Sequence, residues 1–174
     1  MKTVCCVNRG LKPGQYRLEE VFTDIRTYGV LGDIFADREE IDAIIMRTKV
    51  FVVERPREMF VDNDDGSITI GLAHLQRASD VVLYLDIIHE LCHVKQHLQG
   101  RNLYDRDKSY VDRETEIEAY LVTVQEARRI GLNEDAIVNY LRVSWITPEE
   151  HRRLARRMDI TGEIRDCAQQ ADTR

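Results

Sequence analysis

The sequence predicts an α+β fold, and three observations carry that reading. Residues 80–98 and about 112–130 are long apolar-periodic segments without Gly or Pro inside them, which is helical behaviour. Lys49–Glu54 and Ser67–His74 are short β-branched runs, with the turn residues Asp64, Asp65 and Gly66 between them. The strands are gathered in one region with helices on either side, which predicts a small mixed sheet packed on a central helix, with a further helical part at the C-terminus.

The elements follow in order. Residues 1–14 carry the apolar run Thr3–Val7 and a Lys-Pro-Gly turn, and read as an edge strand or a loose arm. Tyr16–Tyr28 reads as a helix with Leu18, Val21, Phe22 and Ile25 on one side. Asp37 and Glu40 resemble a capping box, opening a helix to Met46 or Arg47 that buries Ile41, Ile44 and Ile45. Lys49–Glu54 is a strand, and Arg57–Asp62 adds a short one. Ser67–His74 alternates and leads into the helix Asp80–Leu98, capped by Ser79 or Asp80 and ended by Gly100. The second long helix is closed by Gly131. Its main packing stripe is expected to be Ile117, Leu121, Val124 and Ala127 or Arg128. Asn133 caps a helix to about Val143. Thr147, Pro148 and Glu150 form a strong start for another that ends near Met158. At 174 residues the chain reads as one domain: a core of about 16–131, C-terminal helices over 133–158 and a polar tail over 159–174.

Composition narrows the function. With 43% hydrophobic residues the chain can bury a real core. A net charge of −6 argues against a general nucleic-acid-binding role, and Arg152, Arg153, Arg156 and Arg157 read as a solvated helix face. No apolar stretch is long enough to span a bilayer, and the N-terminus lacks the apolar core of a signal peptide, so the expected location is cytoplasmic. The four cysteines have no paired spacing of a disulfide framework or a thiolate metal site, and Cys92 reads as a small hydrophobe.

The most informative segment is His89-Glu90-Leu91-Cys92-His93. Residues four apart on a helix share a face, so both imidazoles can reach one metal ion from one rigid element. Glu90 can then touch a metal-bound water without being a ligand. That is the arrangement of zinc peptidases. A third ligand is required. His97 continues the i, i+4 series but is rotated about 80° from His89 by eight residues of helix, so it reads as a rim residue, as a support behind the ligands or as simply solvated. Glu114, Glu116 and Glu118 open the second long helix. Glu116 lies in a stripe with Ala119, Tyr120 and Thr123, whose small residue permits close approach to the first helix. Glu116 is therefore the first candidate, Glu118 the second and Glu114 the third.

HELCHVKQH followed by E-x-E-A-Y is similar to compact bacterial metallopeptidase-like proteins of the gluzincin type, which carry HELxHVxQ and a later E-x-x-A. The resemblance covers about Ser67–Ile130. It implies a single zincin-like domain, with zinc held by His89, His93 and the Glu three before the Ala, which is Glu116. It also implies hydrolysis of peptide bonds with Glu90 as general base. Some gluzincins place a tyrosine a few residues before the glutamate ligand, which points to Tyr110 as oxyanion donor, with Tyr104, Tyr120 and His97 as alternatives. In zincins a strand just before the metal helix lines the cleft, so Ser67–His74 is expected to bind an extended peptide along its edge, with Gly71 either admitting the substrate backbone or marking a bulge. The alternative function is a regulatory or binding protein on the same fold with latent or absent peptidase activity.

Overall fold

A computed structural model describes residues 4–55 and 58–160. It has the expected α+β architecture. Four strands, β1 (Gly14–Arg17), β2 (Lys49–Val53), β3 (Met59–Val61) and β4 (Ile68–Gly71), form one mixed sheet in the order β1-β2-β4-β3. β1 runs antiparallel to β2, with Gly14 opposite Val52; β2 runs parallel to β4, with Val50 opposite Ile68; β3 runs antiparallel to β4, with Met59 opposite Ile70. Val50, Val52, Ile68 and Ile70 point into the core, as period-two alternation requires.

The helices in chain order are α1 (Leu18–Val21), α2 (Leu31–Ile34), α3 (Arg38–Arg47), α4 (Leu72–Arg77), α5 (Asp80–Leu98), α6 (Glu114–Arg129), α7 (Glu134–Tyr140) and α8 (Pro148–Arg157). Their ends follow from local chemistry. Asp37 accepts from the Glu40 N–H at 2.9 Å, Ser79 from Val82 at 3.2 Å, Asn133 from Ala136 at 2.9 Å and Thr147 from Glu150 at 3.2 Å. Gly100 and Gly131 follow α5 and α6 with φ of +73° and +91°, a backbone region that glycine enters without penalty. α5 runs through the middle of the molecule, packed against α6 and β3, with Leu83, Leu85, Ile87 and Ile88 fully buried.

Four expectations are corrected. Tyr16–Tyr28 is not one helix but β1, α1 and a 3-10 turn, Ile25–Thr27. The apolar side chains are buried as expected, but the N-terminal arm captures the backbone there. Asn8 N–H donates to Val21 at 2.8 Å, Thr23 N–H donates to Cys6 at 2.9 Å, and Asp24 accepts from the Cys6 N–H. Ser67–His74 is not one strand either. The β-branched Ile68-Thr69-Ile70 extends, and Leu72–Arg77, which lacks β-branched residues, coils into α4 around fully buried Leu75. On α6 the expected stripe is buried only in its second half, at Val124 and Ala127, whereas Leu121 is 41% exposed and Ile117 only half-buried; Glu116, Ala119, Tyr120 and Thr123 are buried beside it. The structured core also reaches past residue 158, because Ile160 is buried; the rest of the expected polar tail, 161–174, lies outside the described residues.

Candidate metal centre

The site forms where α5 and α6 cross. His89 and His93 lie one turn apart on α5 and point toward Glu116, which sits in the first turn of α6. Their side-chain donor atoms form a nearly equilateral triangle. His89 Nε2 is 3.0 Å from His93 Nε2, and Glu116 Oε2 lies 3.2 Å from the first and 3.4 Å from the second. All three residues are buried. A tetrahedral ion bonded at about 2.0–2.1 Å sets neighbouring ligand atoms about 3.4 Å apart, so the triangle has the dimensions that such an ion needs. Among the described residues this is the group of three His, Cys, Asp or Glu side chains placed to share an ion. Burying three such lone-pair donors face to face is costly unless a cation joins them.

The residues behind the ligands hold His93 in one tautomer. Its Nδ1 lies 2.7 Å from Gln96 Oε1, and the Gln96 amide nitrogen donates to the Thr115 carbonyl and to Glu118 Oε2, each at 3.0 Å. Thr115 O and Glu118 Oε2 can only accept, so the Gln96 oxygen must face His93. When neutral, His93 therefore carries its proton on Nδ1 and can present the Nε2 lone pair to the triangle. Glu118 is exposed and bound by Arg101, and Glu114 is exposed beside Lys108. Neither reaches the triangle. Gln96 was not singled out as functional from the sequence, although its place three residues after His93 was the available signal.

Electrostatics match the geometry. Burial pushes Glu116 toward its neutral form, but hydrogen bonds and charge from His89 and His93 outweigh it and hold the carboxyl well below its usual range. Burial likewise disfavours charge on His93, yet the Glu116 carboxylate raises it to about 9 in the metal-free chain. Glu90 is raised by burial. Two atoms beside the triangle, Glu90 Oε2 and His89 Nδ1, are buried without a hydrogen-bond partner among the described residues. An orphaned acceptor in such a position suits a bound water molecule.

The site opens into a cleft of about 940 Å³ whose lining includes Glu90, His93, Met59, Tyr104, Tyr110 and Trp145. Tyr110 lies in a 3-10 turn, Tyr110–Asp112, just before α6. Its hydroxyl is 2.9 Å from that of Tyr120, whose ring packs 4.4 Å from His89. Burial first, and then the neighbouring Tyr120 and Glu116, keep the Tyr110 hydroxyl firmly protonated. Of the alternative donors, Tyr120 lies at the site as the partner of Tyr110, and the other two are engaged elsewhere. Tyr104 donates to the Val61 carbonyl at 2.6 Å, and His97 covers the Gly66 turn, lining a separate groove with Leu98. His74, now on α4, does face the cleft and is held 2.7 Å from Asp86, which accepts in turn from Tyr140. The exposed Trp145 of the cleft wall, 53% exposed, had no sequence signal.

The expected substrate strand is also corrected. Both edges of β4 are occupied, by β2 and β3, so it cannot pair with a further chain. The free edge at the cleft is β3. Asp62 N–H bonds to Ser67 O and Gly71 N–H to Glu58 O, so by antiparallel alternation Met59 and Val61 turn their backbone groups outward. No helix among the described residues is long and apolar enough to cross a membrane. Comparison of the chain with protein-family models, curated proteins and solved structures finds no match.

Proposed function

We propose that the chain is a zinc-dependent peptidase. The observation that carries this reading is the buried triangle of His89, His93 and Glu116 with an unpartnered Glu90 oxygen beside it, at the floor of a cleft. Zinc bound there would supply an acidified water, its pKa lowered toward about 7, and would polarise a scissile carbonyl. Glu90, with an unpartnered oxygen beside the triangle and its pKa raised by burial, would serve as the base toward the attacking water and as the proton donor to the leaving amine. Tyr110 donates its hydroxyl proton in a hydrogen bond to the developing oxyanion, with Tyr120 fixing the phenol from behind. An extended peptide pairs with the outward N–H and C=O of Met59 on β3, which sets its carbonyl beside the ligands.

The test separates base from ligand. Glu90→Gln is expected to keep zinc and fold while lowering peptide cleavage by about 10²–10⁴-fold. His89→Ala, His93→Ala and Glu116→Ala are each expected to lose zinc. A Glu90→Gln protein as active as the parent, or full zinc occupancy in the doubly substituted His89→Ala, His93→Ala protein, would overturn the reading.

A further inference from the structure

The turn that carries Tyr110 is gripped from the far side by α8. Asp112 is the last residue of that turn. Its Oδ2 accepts from Ser109 Oγ at 2.6 Å and from Arg153 at 2.9 Å, and its Oδ1 accepts from Arg157 at 2.5 Å. Arg153 also donates to Ser109 Oγ at 3.2 Å, so the two ends of the turn are tied to one guanidinium. Arg153 and Arg157 are four residues apart and share one face of α8. Both stay partly solvated, as the sequence suggested, but each is also paired with Asp112. Just before α8, Trp145 sets its ring edge-to-face on Tyr110, with centroids 5.7 Å apart at 87°. The segment from Trp145 to Arg157 thus meets the Tyr110 turn at two points, one aromatic and one ionic. Val111, fully buried, anchors the turn in the core, and the ionic contact holds its outer side.

We propose that Asp112, clamped by Arg153 and Arg157, is a positioning residue that holds Tyr110 and Trp145 as one fixed wall of the cleft. Neither Asp112 nor the two arginines line the cleft, so they act only through that wall. The clamp side chains keep 32–40% of their surface in solvent, so salt screens the clamp while leaving the buried metal triangle far less affected. The catalytic consequence rests on the reading of Tyr110 as oxyanion donor; the structural one does not. Hydrogen-bond donors to an oxyanion act by preorganisation, so a small displacement of Tyr110 lowers turnover more than binding.

The experiment is a double-mutant cycle on the full-length, zinc-loaded protein, with a spectroscopic readout beside it. Asp112→Asn is expected to lower kcat on the order of tenfold with little change in KM and full zinc content. In a Tyr110→Phe background the same change is expected to cost almost nothing further, because the group being positioned is gone. Trp145 is the single tryptophan, so its emission reports the wall directly. Asp112→Asn should change that emission. So should the paired Arg153→Gln, Arg157→Gln substitution, which breaks the clamp from the other side. Salt at about 1 M, where the screening length is about 3 Å, should reproduce the change in the parent but not in Asp112→Asn. Undiminished loss of kcat in the Tyr110→Phe background, loss of zinc, or unchanged Trp145 emission in both clamp variants would each overturn the proposal. Should the zinc-loaded parent cleave no peptide, the hydrolytic reading falls, and Trp145 emission alone decides the clamp.

Discussion

Glu116 and Glu118 stand two residues apart on the same helix turn and meet different fates. A step of two residues rotates a side chain by about 200° around α6, so one carboxylate enters the α5 interface and the other leaves it. Glu116 becomes a candidate ligand. Glu118 instead accepts from Gln96 and Arg101, and so supports His93 at one remove. Removing the residue between them is informative. Gln96→Ala takes away the acceptor that fixes the His93 tautomer, and is expected to weaken zinc binding by about 10–100-fold, with the fold retained. Competition with a chromogenic chelator measures it; affinity equal to the parent's would show that the Gln96 contact does not orient the ligand. His89, Glu90, His93 and Glu116 were legible in the sequence because their spacing is intrinsic to a helix. Gln96 was not, because its role depends on Thr115 and Glu118, which arrive from a different helix.

Among the elements, the two long helices and β2 lie where periodicity places them, and their caps are local. What periodicity misjudged was orientation and company. On α6 the apolar Ile117 and Leu121 stripe outranks the Glu116, Ala119, Tyr120 stripe in hydrophobicity, yet the second faces α5. The side chains of the candidate metal site face inward, and Ala119 permits the close crossing that brings them to α5. Likewise β4 was expected to be a substrate edge, but β3 covers it. Gly71 sits in that covered strand, buried, with its N–H bonded to the Glu58 carbonyl and φ of −69°, a conformation open to any residue. Gly71→Val is therefore expected to act by overpacking, costing about 1–3 kcal/mol and lowering Tm, with zinc content and cleavage per folded molecule unchanged. Loss of cleavage at unchanged Tm would return β4 to the cleft. Gly66 differs. At φ of +71°, with an added Cβ only 2.5 Å from His97 Cδ2, Gly66→Ala is expected to cost at least the roughly 1–2 kcal/mol of a left-handed L-residue, read by the denaturation midpoint.

For the whole molecule, folding and metal binding at the candidate site would be coupled through one proton. In the metal-free chain the Glu116 carboxylate raises His93 from 6.5 to about 9. A raised histidine contributes stability that is complete below 6.5 and lost as pH climbs through about 9. Zinc needs the same nitrogen without its proton, so its binding releases that proton and strengthens over the same interval. The rise in Tm on adding zinc is therefore expected to be larger near pH 9 than near pH 6.5, and calorimetry in both conditions measures it. An increment that shrinks with pH would mean that His93 is not a ligand. The sequence by itself determined helices α3, α5, α6, α7 and α8, the α+β class and three of the four residues at the floor of the cleft, because helix periodicity and i, i+4 spacing are properties of a single segment. It also ranked Glu116 first, through the small residue beside it. Only the tertiary structure decided which glutamate entered the crossing, which strand was left with a free edge, and that Asp112, Arg153 and Arg157 meet at the back of the Tyr110 turn. Those outcomes depend on different segments brought together by packing, 27 residues apart from His89 to Glu116 and 41 and 45 from Asp112 to its two arginines, and no local pattern records which of several charges will find its partner.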